Sequence, residues 1–144
     1  MSVFCDSSVL VKLYADEPGA SEVRALSNLV VSCLARVEVP AALWRKHRLG
    51  ELPLEDASVL VASCEWDYFG GTAAQPVFAV VGATGEILDE AARLLAQHPL
   101  RAYDAVQLAS ALAARTADPE LTTFVCFDEM LAAAARAEGF RVVS

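Results

Sequence analysis

With 144 residues, 56% of them apolar, the chain is long enough for one domain-sized hydrophobic core and needs no second. Its apolar runs, such as Val77 to Val81, fall far short of the roughly 20 residues of a membrane helix, and the opening Met-Ser-Val-Phe-Cys-Asp lacks the basic start of a secretory signal, so a cytoplasmic protein is expected. A net charge of −8 argues against a broad phosphate-binding surface and leaves any nucleic-acid contact to local features or bound cations.

Val3-Phe4-Cys5 reads as a short strand ending at Asp6, and Ser7-Ser8 leads into a helix patterned by Val9, Leu10, Leu13 and Tyr14. Glu17-Pro18-Gly19 stops that helix, a second is predicted over about 20–28, and Leu29-Val30-Val31 forms a second buried strand. With Ser32 as N-cap, a helix carrying Leu34, Glu38, Ala41 and Ala42 on one face runs towards Gly50, and Pro40 is expected to kink or divide it. Pro53 opens a helix to about Phe69, closed by Gly70-Gly71, and Pro76 to Val80 gives a third strand. Helices follow over about 86–97 and 102–116, the latter apolar almost all round and therefore buried. Thr122 to Phe127 is a fourth strand ending at Asp128, a helix covers about 129–137, and Phe140 to Val143 is a short last strand. This alternation predicts an α/β fold spanning 1–144 as a single domain, with a mostly parallel central sheet of about five strands and helices on both faces.

Cys5 and Cys126 lie inside apolar runs and no two of the four cysteines have C-x-x-C spacing, which points to free thiols in a reducing compartment. Neither His47 nor His98 has a partner at zinc-ligand spacing.

Of nineteen acidic residues, four resist the ordinary reading as solvated side chains. Asp6 and Asp128 each end an apolar strand and precede a helix, so in a parallel sheet both emerge at the carboxyl edge, where open α/β sheets bind ligands; capping the following helix is the alternative. Glu38 shares a helix face with apolar residues, which demands a partner or an escape to a pocket edge. Asp104 opens the apolar helix, where the helix dipole or Arg101 would each explain it. One cluster of carboxylates accounts for all four together and suits Mg²⁺ or Mn²⁺ better than zinc. Gathered like charges would cost folding free energy at neutral pH, so removing one at Asp104 should relieve the metal-free protein, whereas a pairing role with Arg101 predicts the reverse.

Asp6-Ser7-Ser8 after the first strand, Arg36-Val37-Glu38 on a helix, Leu100-Arg101-Ala102-Tyr103-Asp104-Ala105 opening another, and Phe127-Asp128-Glu129 after a late strand resemble, in order and over essentially the whole chain, the acidic motifs of PIN-domain ribonucleases. The VapC-type toxins of toxin–antitoxin pairs are the most similar subgroup. The resemblance implies a three-layer PIN-like fold and hydrolysis of RNA phosphodiesters with Mg²⁺ or Mn²⁺. It makes Asp6, Glu38, Asp104 and Asp128 the catalytic and metal-holding acids, with Ser8 and Glu129 in support. Pro40 so near Glu38 is a departure that bears on how that carboxylate is presented. An RNA substrate, a cognate antitoxin protein and a homodimer are the implied partners. The alternative is a PIN-like RNA- or protein-binding module that does not cleave. A phospho-acceptor receiver domain is disfavoured, because Gly82-Ala83-Thr84-Gly85 follows the third strand where such a fold needs an aspartate. Lys12, one turn beyond Ser8, reads as a solvated lysine on the side of the site, and Arg45-Lys46-His47-Arg48 as a solvated helix end rather than an RNA track. Trp44, Trp66, Tyr68 and Phe69 fit either a core or a dimer surface.

Overall fold

The computed structural model describes residues 1–72 and 75–144. In chain order its elements are β1 (Val3–Cys5), α1 (Ser7–Tyr14), α2 (Ala20–Arg24), β2 (Leu29–Ser32), α3 (Ala35–Arg48), α4 (Leu54–Phe69), β3 (Ala79–Val81), α5 (Gly85–Gln97), α6 (Ala102–Ala117), β4 (Thr123–Val125), α7 (Glu129–Ala137) and β5 (Arg141–Val143). The five strands form one sheet in the order β3-β2-β1-β4-β5, and every neighbouring pair is parallel.

Alternate side chains of the short strands point to opposite faces, and each face is covered by its own helices. Phe4 and Phe124, stacked with centroids 5.3 Å apart, turn to the side packed by α5, α6 and α7, with Leu94, Leu108, Leu131 and Phe140. Cys5 and Val125 turn to the other side, against Val9 and Leu10 of α1 and Val39 and Leu43 of α3. The expected three layers are present. As anticipated, α6 is buried from Ala105 to Ala111. All four cysteines are free, and burial pushes the Cys5 and Cys126 thiols up to about 12, which leaves them unreactive at neutral pH.

Several boundaries differ from the sequence reading. Helix α2 ends at Arg24 instead of about 28, because the chain must turn to enter β2; Asn28 takes the left-handed conformation with φ 55° and its carbonyl accepts the Val3 N–H at 3.2 Å. The third strand is Ala79–Val81 and not Pro76–Val80. Pro76 lacks an N–H, and Val77 donates its own to the Asp67 carbonyl at 2.8 Å, so this stretch is tied to the end of α4 before pairing begins. Ser32 is the last residue of β2; its hydroxyl accepts the Leu34 N–H at 3.2 Å, a turn that leads into α3 rather than a cap upon it. Helix α3 continues through Pro40 as one element, at the loss of the hydrogen bond that the Arg36 carbonyl would otherwise accept.

From β1 the chain winds outward to β2 and β3, then returns to the other side of β1 to lay down β4 and β5. The winding therefore reverses between β1 and β4, and the loops leaving their carboxyl ends part company there, opening a crevice. Asp6 follows β1 and Asp128 lies just beyond β4.

Candidate active site

Asp6 stands at this switch point. Its N–H extends the β1–β4 ladder to the Val125 carbonyl at 3.1 Å, and its carbonyl accepts from Val9 at 3.0 Å and Leu10 at 3.3 Å. The backbone thus starts α1, while the carboxylate makes no capping bond and is free for another role. That carboxylate is buried, with Ser8 donating its hydroxyl proton to Oδ2. Burial pushes Asp6 from the ordinary 3.8 up to about 6; the Ser8 hydrogen bond opposes the rise, and the charges of Glu38 and Asp104 add to it. Asp6 therefore lies in the field of two of the other three acids.

Glu38, in the first turn of α3, is held from two other helices. Ser7 of α1 donates to Oε1 at 3.0 Å, and Gln107 of α6 donates to the same oxygen at 2.9 Å and to the Ser7 hydroxyl at 2.8 Å. Gln107 is 1% exposed, and its own Oε1 is buried without a partner among the described residues. Sequence reasoning passed over Ser7 and Gln107. The available signal was a lone amide inside the apolar run Ala105 to Ala111, one helical turn beyond Asp104 and therefore on its face.

Asp104 lies in the first turn of α6, where Arg101 Nε donates to its Oδ2 at 3.1 Å. The same guanidinium reaches across to α7, placing Nη2 3.6 Å from Asp128 Oδ2. Asp128 caps α7, its Oδ1 accepting the Leu131 N–H at 2.9 Å. The alternatives weighed for these two acids, pairing with Arg101 and helix capping, are both realised. Arg101 also feels the charge of Asp6, so one guanidinium stands near three of the four acids.

The chain from residue 3 to residue 137 matches the family model described as PIN domain. It belongs to the PIN-domain family. It is 39% identical over 147 aligned residues to Ribonuclease VapC45 of Mycobacterium tuberculosis, a match that covers 97% of this chain and 93% of that one. Two solved structures share the fold. Mycobacterium tuberculosis VapC20, described as a Sarcin-Ricin loop cleaving toxin, superimposes with a TM-score of 0.63 at 19% identity, covering 96% of each chain. A toxin-antitoxin complex from Klebsiella pneumoniae gives 0.62 at 17%, covering 100% of this chain and 97% of that one.

In this PIN domain the supporting candidates divide. Ser8 touches Asp6, whereas Glu129 lines a separate cleft with Phe127, Ala132, Arg136 and Ser144. Lys12 is not the solvated lysine its position suggested. Its ammonium bonds Glu17 at 3.2 Å and the Pro18 carbonyl at 2.9 Å and lies 5.0 Å from the centre of the Phe127 ring, pinning the turn after α1. The basic cluster is partly structural as well: Lys46 pairs with Glu17 at 2.6 Å, and His47 Nδ1 is 2.9 Å from the Leu52 carbonyl. Among the aromatics, Trp66 and Phe69 are exposed on α4.

Among the described residues no three His, Cys, Asp or Glu side chains lie close enough to share one metal ion. The carboxylates are occupied by Ser8, by Ser7 with Gln107, and by Arg101. In kind, however, the donor set fits a hard divalent cation: four carboxylates with no thiol or imidazole among them, one of them buried and short of positive charge.

Proposed function

We propose that this PIN domain is a Mg²⁺- or Mn²⁺-dependent endoribonuclease, the toxin of a toxin–antitoxin pair, working through Asp6, Glu38, Asp104 and Asp128. The observation that carries the reading is the buried Asp6 carboxylate at the sheet's switch point, raised by burial and by the neighbouring charges of Glu38 and Asp104. A carboxylate so placed gains from a bound cation and loses without one. The names of its relatives and its family membership point the same way.

When bound, the ion supplies an activated water and neutralises charge on the scissile phosphate. The protein's part is to orient oxygens. Ser8 fixes the Asp6 carboxylate, and Ser7 with Gln107 fixes Oε1 of Glu38, which leaves Oε2 without a hydrogen bond to a described residue. RNA enters over the open cleft of about 420 Å³ lined by Glu38, Arg101, Ala102, Tyr103 and Asp104. No Ser-His-Asp arrangement is needed, because attack by water forms no covalent enzyme intermediate.

The partner set follows from the same reading: RNA as substrate, and an antitoxin whose basic segment reaches the acids. A second copy of the chain is the remaining partner, with exposed Val37, Trp66 and Phe69 supplying apolar surface for it. No described helix is long and apolar enough to cross a membrane, and cytoplasmic action on RNA is in keeping with this. The test is cleavage of RNA by the purified chain in Mg²⁺, in Mn²⁺ and in excess EDTA. Cleavage undiminished by EDTA refutes metal dependence, and folded protein that binds RNA without cutting it under any of these conditions supports a binding module instead.

A further inference from the structure

Arg101 occupies an unusual station for a surface arginine. It is the N-cap residue of α6, yet its side chain makes no cap and instead turns over the acids. Although 80% of its side chain is exposed, it meets two carboxylates from different elements, Asp104 at 3.1 Å and Asp128 at 3.6 Å. A guanidinium, with donors spread around a plane, can serve two acids at once where an ammonium serves one.

Which oxygens it meets decides what this does. Oδ1 of Asp128 is committed to the Leu131 N–H, so Oδ2 is the oxygen left for a cation, and Oδ2 is the atom that faces Arg101. On Asp104 the guanidinium again holds one of the two oxygens. A divalent ion on Asp128 must take the oxygen that faces Arg101, and one on either acid must tolerate a neighbouring positive charge.

We propose that Arg101 is a built-in counter-cation of the acidic site, which holds Asp104 and Asp128 in the metal-free protein and competes with the divalent ion for them. The inference rests on the proposed metal site and adds an internal control of its affinity. Removing two exposed ion pairs together with the repulsion that the guanidinium exerts on a cation should tighten ion binding about tenfold. The chain thereby avoids leaving bare, mutually repelling carboxylates when no ion is bound.

Mn²⁺ binding to the full chain, measured by calorimetry and by the loss of the free-ion paramagnetic resonance signal, tests this with wild type, Arg101→Gln, Arg101→Lys and, as a charge control, Arg93→Gln on α5. Arg101→Gln should bind Mn²⁺ about tenfold more tightly while melting lower than wild type in EDTA. Arg101→Lys should stay nearer wild-type affinity, and Arg93→Gln should match it, showing that net charge is not the cause. If Arg101→Gln binds Mn²⁺ no more tightly than wild type, and its melting point falls equally with and without the ion, Arg101 is only a helix-end ion pair and the proposal is overturned. If wild type binds no Mn²⁺ at all, the metal-site reading fails with it. If wild type binds and the variant binds equally, Arg101's role alone is removed.

Discussion

Replacing Asp6 by asparagine separates the cost of the site from its use. In the metal-free chain Asp6 titrates at about 6 instead of 3.8, chiefly because it is buried. Below the unfolded value both states hold the proton and there is no penalty. Between 3.8 and about 6 the unfolded chain releases it while the folded chain keeps it, so stability falls as pH rises. Above about 6 both states are ionised and the whole penalty is present. At about 1.4 kcal/mol per tenfold change in proton affinity, the gap corresponds to about 3 kcal/mol. Asparagine has no charge to lose, and its bond to Ser8 is the same at every pH, so it cancels when two pH values are compared. Asp6→Asn should therefore be about 3 kcal/mol more stable than wild type at pH 8, relative to their difference at pH 3.5. Urea unfolding in EDTA at the two pH values measures this. With saturating Mn²⁺ the order should reverse, because an ion bound only by the folded wild type stabilises it by mass action. A difference between wild type and variant that is the same at both pH values refutes the argument, since it would mean that the Asp6 carboxylate is already compensated in the fold.

Three further outcomes are expected. EDTA should abolish RNA cleavage and Mg²⁺ or Mn²⁺ should restore it, which a gel assay of one purified preparation before and after chelation will read. Gln107→Leu should stay within about 2 kcal/mol of wild-type stability, because the lost bonds to Glu38 and Ser7 are offset by removal of the unpartnered Oε1. It should nevertheless lose at least about tenfold in kcat and alter the pH profile of cleavage, since Glu38 is no longer fixed from α6; an unchanged profile would make Gln107 a packing residue. Tyr103→Ala removes an exposed ring from the cleft beside Glu38 and Asp104 and should raise KM with kcat preserved, at a stacking loss of about 1–3 kcal/mol, while thermal stability stays put.

The placement of the site was legible wherever it depended on local pattern. Val3 to Asp6 and Val125 to Asp128 each show an apolar strand running into an acid, and a parallel sheet is enough to bring both to one edge. The apolar α6 announced its own burial in the same way. What stayed hidden depended on long-range geometry. Arg101 was visible as a neighbour of Asp104 three residues away, but not as a neighbour of Asp128, which only the packing of α6 against the β4–α7 turn brings near. This contact also relocates the expected relief of strain. With Arg101 at 3.1 Å, Asp104 already has its counter-charge, so the relief first looked for at Asp104 is now expected at Asp6. Pro76 and Val77 read as strand because apolar runs do not reveal whether their N–H groups meet a sheet or, as here, the end of a helix.

Three of the four acids divide their oxygens in a common manner. Glu38 gives Oε1 to Ser7 and Gln107, Asp128 gives Oδ1 to the Leu131 N–H, and Asp6 gives Oδ2 to Ser8. In each case the fold orients the carboxylate through one oxygen, by a neutral donor that carries no net charge into the cleft. Asp104 departs from the scheme, because its bond comes from a full positive charge on an exposed side chain. A neutral donor can remain while a cation binds the other oxygen, whereas a guanidinium repels that cation and has room in solvent to leave. The Asp104 side of the site is therefore where the metal-free and metal-bound arrangements must differ most, and the Ser7–Glu38–Gln107 triangle is the part that has no electrostatic reason to move.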